Sequence, residues 1–188
     1  MRIALATCLE MPGLIDEDHA LAAAFARRGH EAVPAPWNGP FTPFADADIT
    51  LVRTTWDYTE APNEFATWLQ RLEGAGCHTI NPPALMRWNM DKHYLLELQS
   101  RGAPLPSTVI CAPDPEEIVA AAAGLGLATA VLKPVISATD IRNQKSGCNG
   151  SWASDESAQA RVDIGIMPPI RQFIDRSSEV KVMRSDLP

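Results

Sequence analysis

Two lysines stand where proteins place cations for an anionic ligand. Lys133 ends the apolar run 130–132 and precedes a proline, and Lys92 lies in the segment 88–92 at the start of a predicted helix. A lysine that closes a buried strand costs desolvation free energy unless an anion meets its ammonium group. Two such lysines in successive elements predict a site for a polyphosphate. The alternative for Lys92 is a solvated side chain in the first turn of a helix.

A second set of polar side chains follows two predicted strands in the first half of the chain. Thr7 ends the first strand, and Thr55 and Asp57 follow the third. Ligands of α/β proteins bind at the carboxyl ends of parallel strands. The segment 54–58 holds two hydroxyls, a carboxylate and two aromatic rings, which suit a small polar amino acid, so we predict a substrate site here. The alternative is a helix-entry turn with the two aromatic rings packed beneath it.

The cysteines and histidines predict neither a metal site nor a catalytic nucleophile. The four cysteines are far apart without a C-x-x-C pair, and the four histidines show no ligand spacing. Cys8 lacks an identifiable base partner, so we discount it as a nucleophile. The sequence therefore assigns no catalytic residue and no metal ligand, and widely spaced thiols favour a reducing cytoplasm.

The elements that must position these residues divide into two groups. Strands at 2–7, 31–34, 49–53 and 78–80 alternate with helices at 16–28 and 63–73, which predicts βαβ units and a parallel sheet. The second group lies in the other half. It has predicted helices at 91–101, 115–125 and 155–162, and strands at 108–110, 128–133, 170–174 and 179–183. We therefore predict an α/β fold with domains at 1–86 and 87–188.

The bulk composition limits the partners. The 188 residues carry a net charge of −7 and show no basic stripe, which argues against nucleic acid. No segment approaches the roughly 20 apolar residues of a membrane span, and the N-terminus does not read as a signal peptide. We expect a cytoplasmic protein that binds small molecules.

Five motifs in order resemble the ATP-grasp superfamily, in particular the branch of the D-cycloserine cyclo-ligase and the glutathione-synthetase-like ligases. They lie at 2–8, 53–58, 81–83, 87–92 and 131–134. The resemblance implies a small parallel-sheet pre-ATP-grasp domain followed by an incomplete α+β ATP-grasp domain. It implies that Lys92 and Lys133 contact ATP phosphates. It also adds Arg53 to the predicted substrate-binding set of Thr7, Thr55 and Asp57.

The rest of the nucleotide site is implied by the same resemblance. Ser137 opens a lid segment, 137–150, in which a glycine is expected near residues 139–140 but first occurs at Gly147. A later strand pairs with adenine, with Arg171 or Gln172 at the hinge, and a carboxylate binds the ribose. The implied nucleotide-binding residues are Lys92, Lys133, Ser137, Gln172, Phe173, Ile174 and Glu179.

The resemblance implies chemistry through an acylphosphate or phosphorylated intermediate on a small amino-acid-like substrate, with Mg²⁺ as second cofactor. No Asp/Glu-x-Asn arrangement follows Glu179, so we expect the Mg²⁺ ligands not to be present in this chain and activity to be uncertain. Three alternatives stay open. The chain is a truncated or divergent ligase, a non-catalytic module that binds a small ligand or nucleotide, or a subunit that completes its site in a homo-oligomer or with another chain.

Overall fold

A computed structural model describes residues 1–127, 129–136, 160–163 and 180–184. It divides into two compact units, Met1–Met90 and Asp91–Pro188. Each unit has its own sheet and its own buried apolar cluster.

The first unit is built on a parallel sheet in the order β2-β1-β3-β4. The strands are β1 (Arg2–Thr7), β2 (Glu31–Pro36), β3 (Ile49–Val52) and β4 (Thr79–Ile80). The helices are α1 (Asp16–Ala26), α2 (Thr42–Ala45), α3 (Pro62–Gly74) and α4 (Pro83–Met90), and a 3-10 turn spans Trp56–Thr59. The alternation of strand and helix confirms the predicted α/β class.

Burial explains this arrangement. β1 is central and buried from Ile3 to Thr7, as expected for a strand covered on both faces. The amphipathic helix α3 buries Phe65, Trp68, Leu69 and Leu72. Trp37 meets Phe65 edge to face at 5.0 Å between ring centroids, which adds oriented aromatic contacts to the buried area.

The turn between β4 and α4 comes from the segment 81–83. Asn81 has φ of 65°, a left-handed conformation that asparagine tolerates better than most residues. Two prolines follow, and Pro83 is the first residue of α4, where its missing N–H costs no helical hydrogen bond. The predicted domain boundary at 86/87 lies inside α4, a helix that the sequence did not predict.

The second unit has an antiparallel sheet in the order β5-β8-β6-β7. Its strands are β5 (Thr108–Cys111), β6 (Thr129–Pro134), β7 (Ala160–Asp163) and β8 (Val180–Arg184). Its helices are α5 (Tyr94–Ser100) and α6 (Pro115–Gly124). Ile118, Ala122, Leu132 and Val182 form the buried cluster between α6 and the sheet.

Asp114 caps the N-terminus of α6, because its carboxylate accepts hydrogen bonds from the N–H groups of Glu116 and Glu117. The predicted helix at 155–162 is wrong for its last residues, because 160–163 form β7 and pair with β6. Strand pairing with a neighbour distant in sequence outweighed the local helical pattern.

Candidate functional site

Lys92 lies between two helices rather than in the first turn of one. α4 ends at Met90 and α5 begins at Tyr94, so the single helix predicted at 91–101 is wrong over its first three residues. The N–H of Lys92 donates to the carbonyl of Val135 at 2.8 Å, and Asp91 forms an antiparallel bridge with Ile136. These contacts tie Lys92 to the segment that continues β6.

Lys133 has a lysine directly opposite it. In the antiparallel pairing of β6 with β8, Lys133 is the register partner of Lys181. Directly opposed residues of an antiparallel pair place their side chains on the same face, with Cβ atoms about 5 Å apart. Like charges in such a position repel, so this pair destabilises the sheet unless an anion lies between or above the two ammonium groups.

The three lysines form one electrostatic cluster, here called the lysine triad: Lys92, Lys133 and Lys181. Burial lowers the pKa of each, and the neighbouring positive charges lower it further for Lys92 and Lys181. Lys181 is only 5% exposed, and its pKa falls to about 8. Asp91 opposes this shift at Lys92, but within the described part of the chain no carboxylate forms an ion pair with any member of the triad.

The remaining predicted nucleotide-binding residues lie outside the described residues. These are Ser137, Gln172, Phe173, Ile174 and Glu179. Their predicted roles in the lid, at adenine and at the ribose stay predictions.

In the first unit, the residues predicted to bind substrate lie at the carboxyl end of the parallel sheet. β1 and β3 are neighbours, and the N–H groups of Arg53 and Thr54 both donate to the carbonyl of Ala6. Thr7 is fully buried, and its hydroxyl has no hydrogen-bond partner among the described residues. Thr55 is 6% exposed. Of the four residues predicted, Arg53 presents the most surface, since 42% of its side chain is exposed.

Arg53 is held from behind by a buried acid. Its Nε donates to Oδ1 of Asp18 at 2.7 Å, and the hydroxyl of Thr54 donates to Oδ2 of the same carboxylate at 2.8 Å. Asp18 is fully buried in the first turn of α1, where the helix dipole also favours a negative charge. Both carboxylate oxygens are therefore satisfied.

Asp57 is held in a different way. The indole Nε1–H of Trp37 donates to Oδ1 at 2.6 Å, and the Asn38 side-chain amide donates to Oδ2 at 3.0 Å. The amide oxygen of Asn38 in turn accepts from the N–H of Leu9 at 2.8 Å. This network links the loop after β1, the loop after β2 and the 3-10 turn that carries Asp57. It orients the carboxylate and leaves lone pairs on both oxygens for a further donor.

Cys8 follows β1 in the same region. Burial is the main cause that raises the pKa of its thiol, and the negative charge of Asp57 adds to the effect. A thiol with a raised pKa stays protonated at neutral pH and is a poor nucleophile.

Over the described ranges, no group of three or more His, Cys, Asp or Glu side chains is placed to hold a metal ion. None of the helices in the described part combines the length and apolar character needed to cross a membrane.

Three residues of these sites were not predicted. Lys181 sits between two valines in a predicted strand, and a lysine in that setting was a usable signal for a buried cation. Asp18 is one of three acids in the first turn of α1, and the sequence pattern alone could not show which of them faces inward. Asn38 gave no signal, because it lies in an ordinary polar turn.

Comparison with known proteins finds relatives of the chain by sequence. Residues 3–81 match the family described as D-cycloserine synthetase DcsG, N-terminal domain. The cycloserine biosynthesis protein DcsG of Streptomyces lavendulae is 27% identical over 92 residues, which is 49% of this chain and 30% of that protein.

Solved structures match over nearly the whole chain. The D-cycloserine synthetase DcsG structure superposes with a TM-score of 0.71 at 23% identity, over 97% of this chain and 59% of that one. The ATP complex of D-alanine–D-alanine ligase from Bacillus anthracis superposes with a TM-score of 0.60 at 17% identity, over 100% of this chain and 59% of the ligase. The chain thus spans less than two thirds of the length of these relatives.

The chain has the fold of the ATP-grasp ligases, which confirms the fold that its motifs predicted. Within that class, residues 3–81 resemble the N-terminal domain of D-cycloserine synthetase, which confirms the more specific resemblance.

Proposed function

We propose that this chain supplies the nucleotide-phosphate and substrate-binding parts of an ATP-dependent ligase of the ATP-grasp type. The proposed reaction activates a carboxylate of a small amino-acid-like substrate as an acylphosphate or phosphorylated intermediate, which a nitrogen nucleophile then attacks. The name of the S. lavendulae relative supports a role in antibiotic biosynthesis. Cytoplasmic location and homo-oligomerisation stay predictions.

The observation that carries the proposal is the lysine triad. Three ammonium groups repel one another in a half-buried site, and burial opposes their charge. Such a cluster is costly without a ligand and becomes favourable when an anion carrying several negative charges enters. A nucleoside triphosphate has that charge, and phosphoryl transfer requires cations on the phosphate oxygens.

The fit to ATP rests on the described residues alone. Lys133 and Lys181 project from one face of the second sheet, and the backbone bond from Lys92 to Val135 ties the third lysine to the segment after β6. When ATP binds, its phosphates would neutralise the triad, and the lysines would hold the triphosphate in one orientation.

The test is titration of the full chain with ATP and with AMP, comparing wild type with Lys133→Ala. We expect Lys133→Ala to weaken ATP binding about tenfold or more, since a charge-assisted hydrogen bond contributes about 1.5–3 kcal/mol. AMP affinity should change much less, because AMP lacks the outer phosphates. Arg101→Gln is the matched control, since Arg101 is an exposed cation paired with Glu97 in the same unit.

Equal ATP affinity for wild type and Lys133→Ala would show that the triad is not a phosphate site. ADP release in the presence of Mg²⁺ and small amino acids then separates a ligase from a module that binds without turnover. ATP binding without ADP release under any of these conditions would favour the binding module.

A further inference from the structure

The hydrogen bonds among Asp18, Arg53 and Thr54 do more than hold this group together. They also fix the orientation of the Arg53 guanidinium. The two Nη atoms of the Arg53 guanidinium donate no hydrogen bond to the described residues, whereas its Nε is bound to Asp18. The guanidinium is therefore fixed along one edge and open along another. A planar fork with two parallel N–H donors matches the two oxygens of a carboxylate.

The geometry points to a carboxylate-binding subsite, in which Arg53 binds the carboxylate of a small amino-acid substrate and Asp18 positions Arg53. This subsite rests on the proposed function, because it defines one end of the proposed substrate. It goes beyond that proposal by assigning a role to Asp18, which lies outside the five motifs.

Burial explains why the pair of Asp18 and Arg53 can bind a ligand carboxylate and does not only stabilise the fold. Asp18 is fully buried, and 42% of the Arg53 side chain is exposed, so the acid faces the protein interior and the cation faces outward. The buried bond restricts the side-chain rotation of Arg53 before any ligand arrives. Binding then costs less conformational entropy than it would for a free arginine, which loses up to roughly 2 kcal/mol.

The location supports a small ligand. Arg53 follows β3 directly, at the carboxyl end of the parallel sheet, where α/β proteins bind ligands. Asp57 lies four residues further on, with its carboxylate held by Trp37 and Asn38. An α-amino acid carries one group of each complementary charge: its carboxylate complements the charge of Arg53, and its ammonium group complements the charge of Asp57.

The experiment titrates the full chain, without nucleotide, with D- and L-serine, D- and L-alanine and their methyl esters. Binding is followed by NMR through the side-chain Nε–H and Nη–H signals of arginine. We expect at least one free amino acid to bind and its ester to bind about tenfold or more weakly, because the ester offers no carboxylate. The Arg53 Nη–H signals should sharpen on binding of the acid only.

Two Arg53 variants test the fork. Arg53→Gln and Arg53→Lys should each weaken amino-acid binding about tenfold or more, even though lysine keeps the charge, because neither offers the two parallel donors. Arg28→Gln is the control. Arg28 is an exposed cation of the same unit, and among the described residues its side chain donates only to the carbonyl of Ala24 in α1.

A double-mutant comparison tests Asp18 as a positioning residue. Asp18→Asn should weaken binding in the wild-type background and have little further effect in the Arg53→Gln background, because Asp18 acts through Arg53. A residue that only stabilises the fold would weaken both proteins alike. Arg53→Lys and Arg53→Gln retain Asp18, so they test the subsite even if Asp18→Asn does not fold.

Three results would overturn the subsite: no binding by any of the four acids, equal binding of acid and ester, or unchanged affinity in both Arg53 variants. This failure is distinguishable from failure of the proposed function. The amino-acid titration contains no nucleotide, and Lys133→Ala should leave it unchanged. Loss of the phosphate site with a retained amino-acid site would reject the ligase proposal alone.

Discussion

The two units hold their cations in opposite ways. In the first unit, Arg53 is matched by the buried carboxylate of Asp18, and the local charge is compensated inside the protein. In the second unit, Lys92, Lys133 and Lys181 lie together without a described carboxylate in ion-pairing distance. The first arrangement is complete without a ligand and leaves donors oriented for recognition. The second is incomplete, since its repulsion is relieved only by an anion.

This difference separates two ways of building a binding site. A compensated cation binds through geometry, so its contribution depends on the shape of the ligand as much as on its charge. An uncompensated cluster binds through charge, so its contribution grows with the charge of the anion and falls with added salt. Substitutions in the lysine triad should therefore affect ATP affinity more than fold stability, whereas substitution of Asp18 should also lower fold stability.

The largest effect is expected when two charges of the triad are removed together. Lys133→Met with Lys181→Met should reduce ATP affinity about 100-fold, since each lost charge-assisted contact costs about 1.5 kcal/mol or more. Thermal unfolding of the same variant should show unchanged or increased stability, because the opposed lysines repel each other in the absence of ligand. A large drop in Tm without loss of ATP affinity would show that the triad stabilises the fold and does not bind ATP.

The next largest effect concerns the compensated pair. Asp18→Ala should lower the free energy of unfolding by about 2–3 kcal/mol, because it leaves the Thr54 hydroxyl buried without its acceptor and removes a charge favoured by the helix dipole. Urea denaturation of wild type and variant measures the difference. A change below about 0.5 kcal/mol would mean that Asp18 does not hold this region together.

The same contrast explains what the sequence could predict. The parallel sheet followed from short apolar strands separated by helices, and Lys92 and Lys133 followed from motifs with local spacing. Asp18 and Lys181 depend on long-range pairing: Asp18 meets Arg53, which is 35 residues away in the chain, and Lys181 meets Lys133 only through strand register. The helix predicted at 155–162 was wrong over its last residues for the same reason, because residues 160–163 form β7 by pairing with β6. Local patterns predict elements, whereas partners distant in the chain decide which polar residues are buried.

The pH dependence of stability and of ATP affinity should distinguish the lysine triad from the pair of Asp18 and Arg53. The pKa of Lys181 is lowered from 10.5 to about 8 in the folded protein, so between these values the unfolded state binds more protons. The free energy of unfolding of the ligand-free protein should therefore rise with pH across this window. ATP affinity should change in the opposite direction and fall several-fold as pH rises past about 8, because Lys181 would lose the charge that we propose contacts phosphate.

Isothermal titration with ATP between about pH 7.5 and 9.5 measures this dependence, and that range lies below the ordinary lysine pKa. Lys181→Met is the matched variant, since it keeps the length of the side chain and removes the titrating group. Its ATP affinity should be weaker and vary less with pH. An identical pH profile in wild type and variant would assign the titration to another group.

The smallest effect is expected at an exposed ion pair that matches the buried one in geometry. Nη2 of Arg87 lies 2.7 Å from Oε2 of Glu73, the same distance that separates Nε of Arg53 from Oδ1 of Asp18. However, half of the Glu73 side chain is exposed. Water competes for an exposed pair, so Glu73→Ala should change the free energy of unfolding by less than about 1 kcal/mol. Urea denaturation beside Asp18→Ala measures both under the same conditions. If the two substitutions cost the same, burial of the carboxylate would not be what distinguishes Asp18, and the orientation assigned to Arg53 would lose its physical basis.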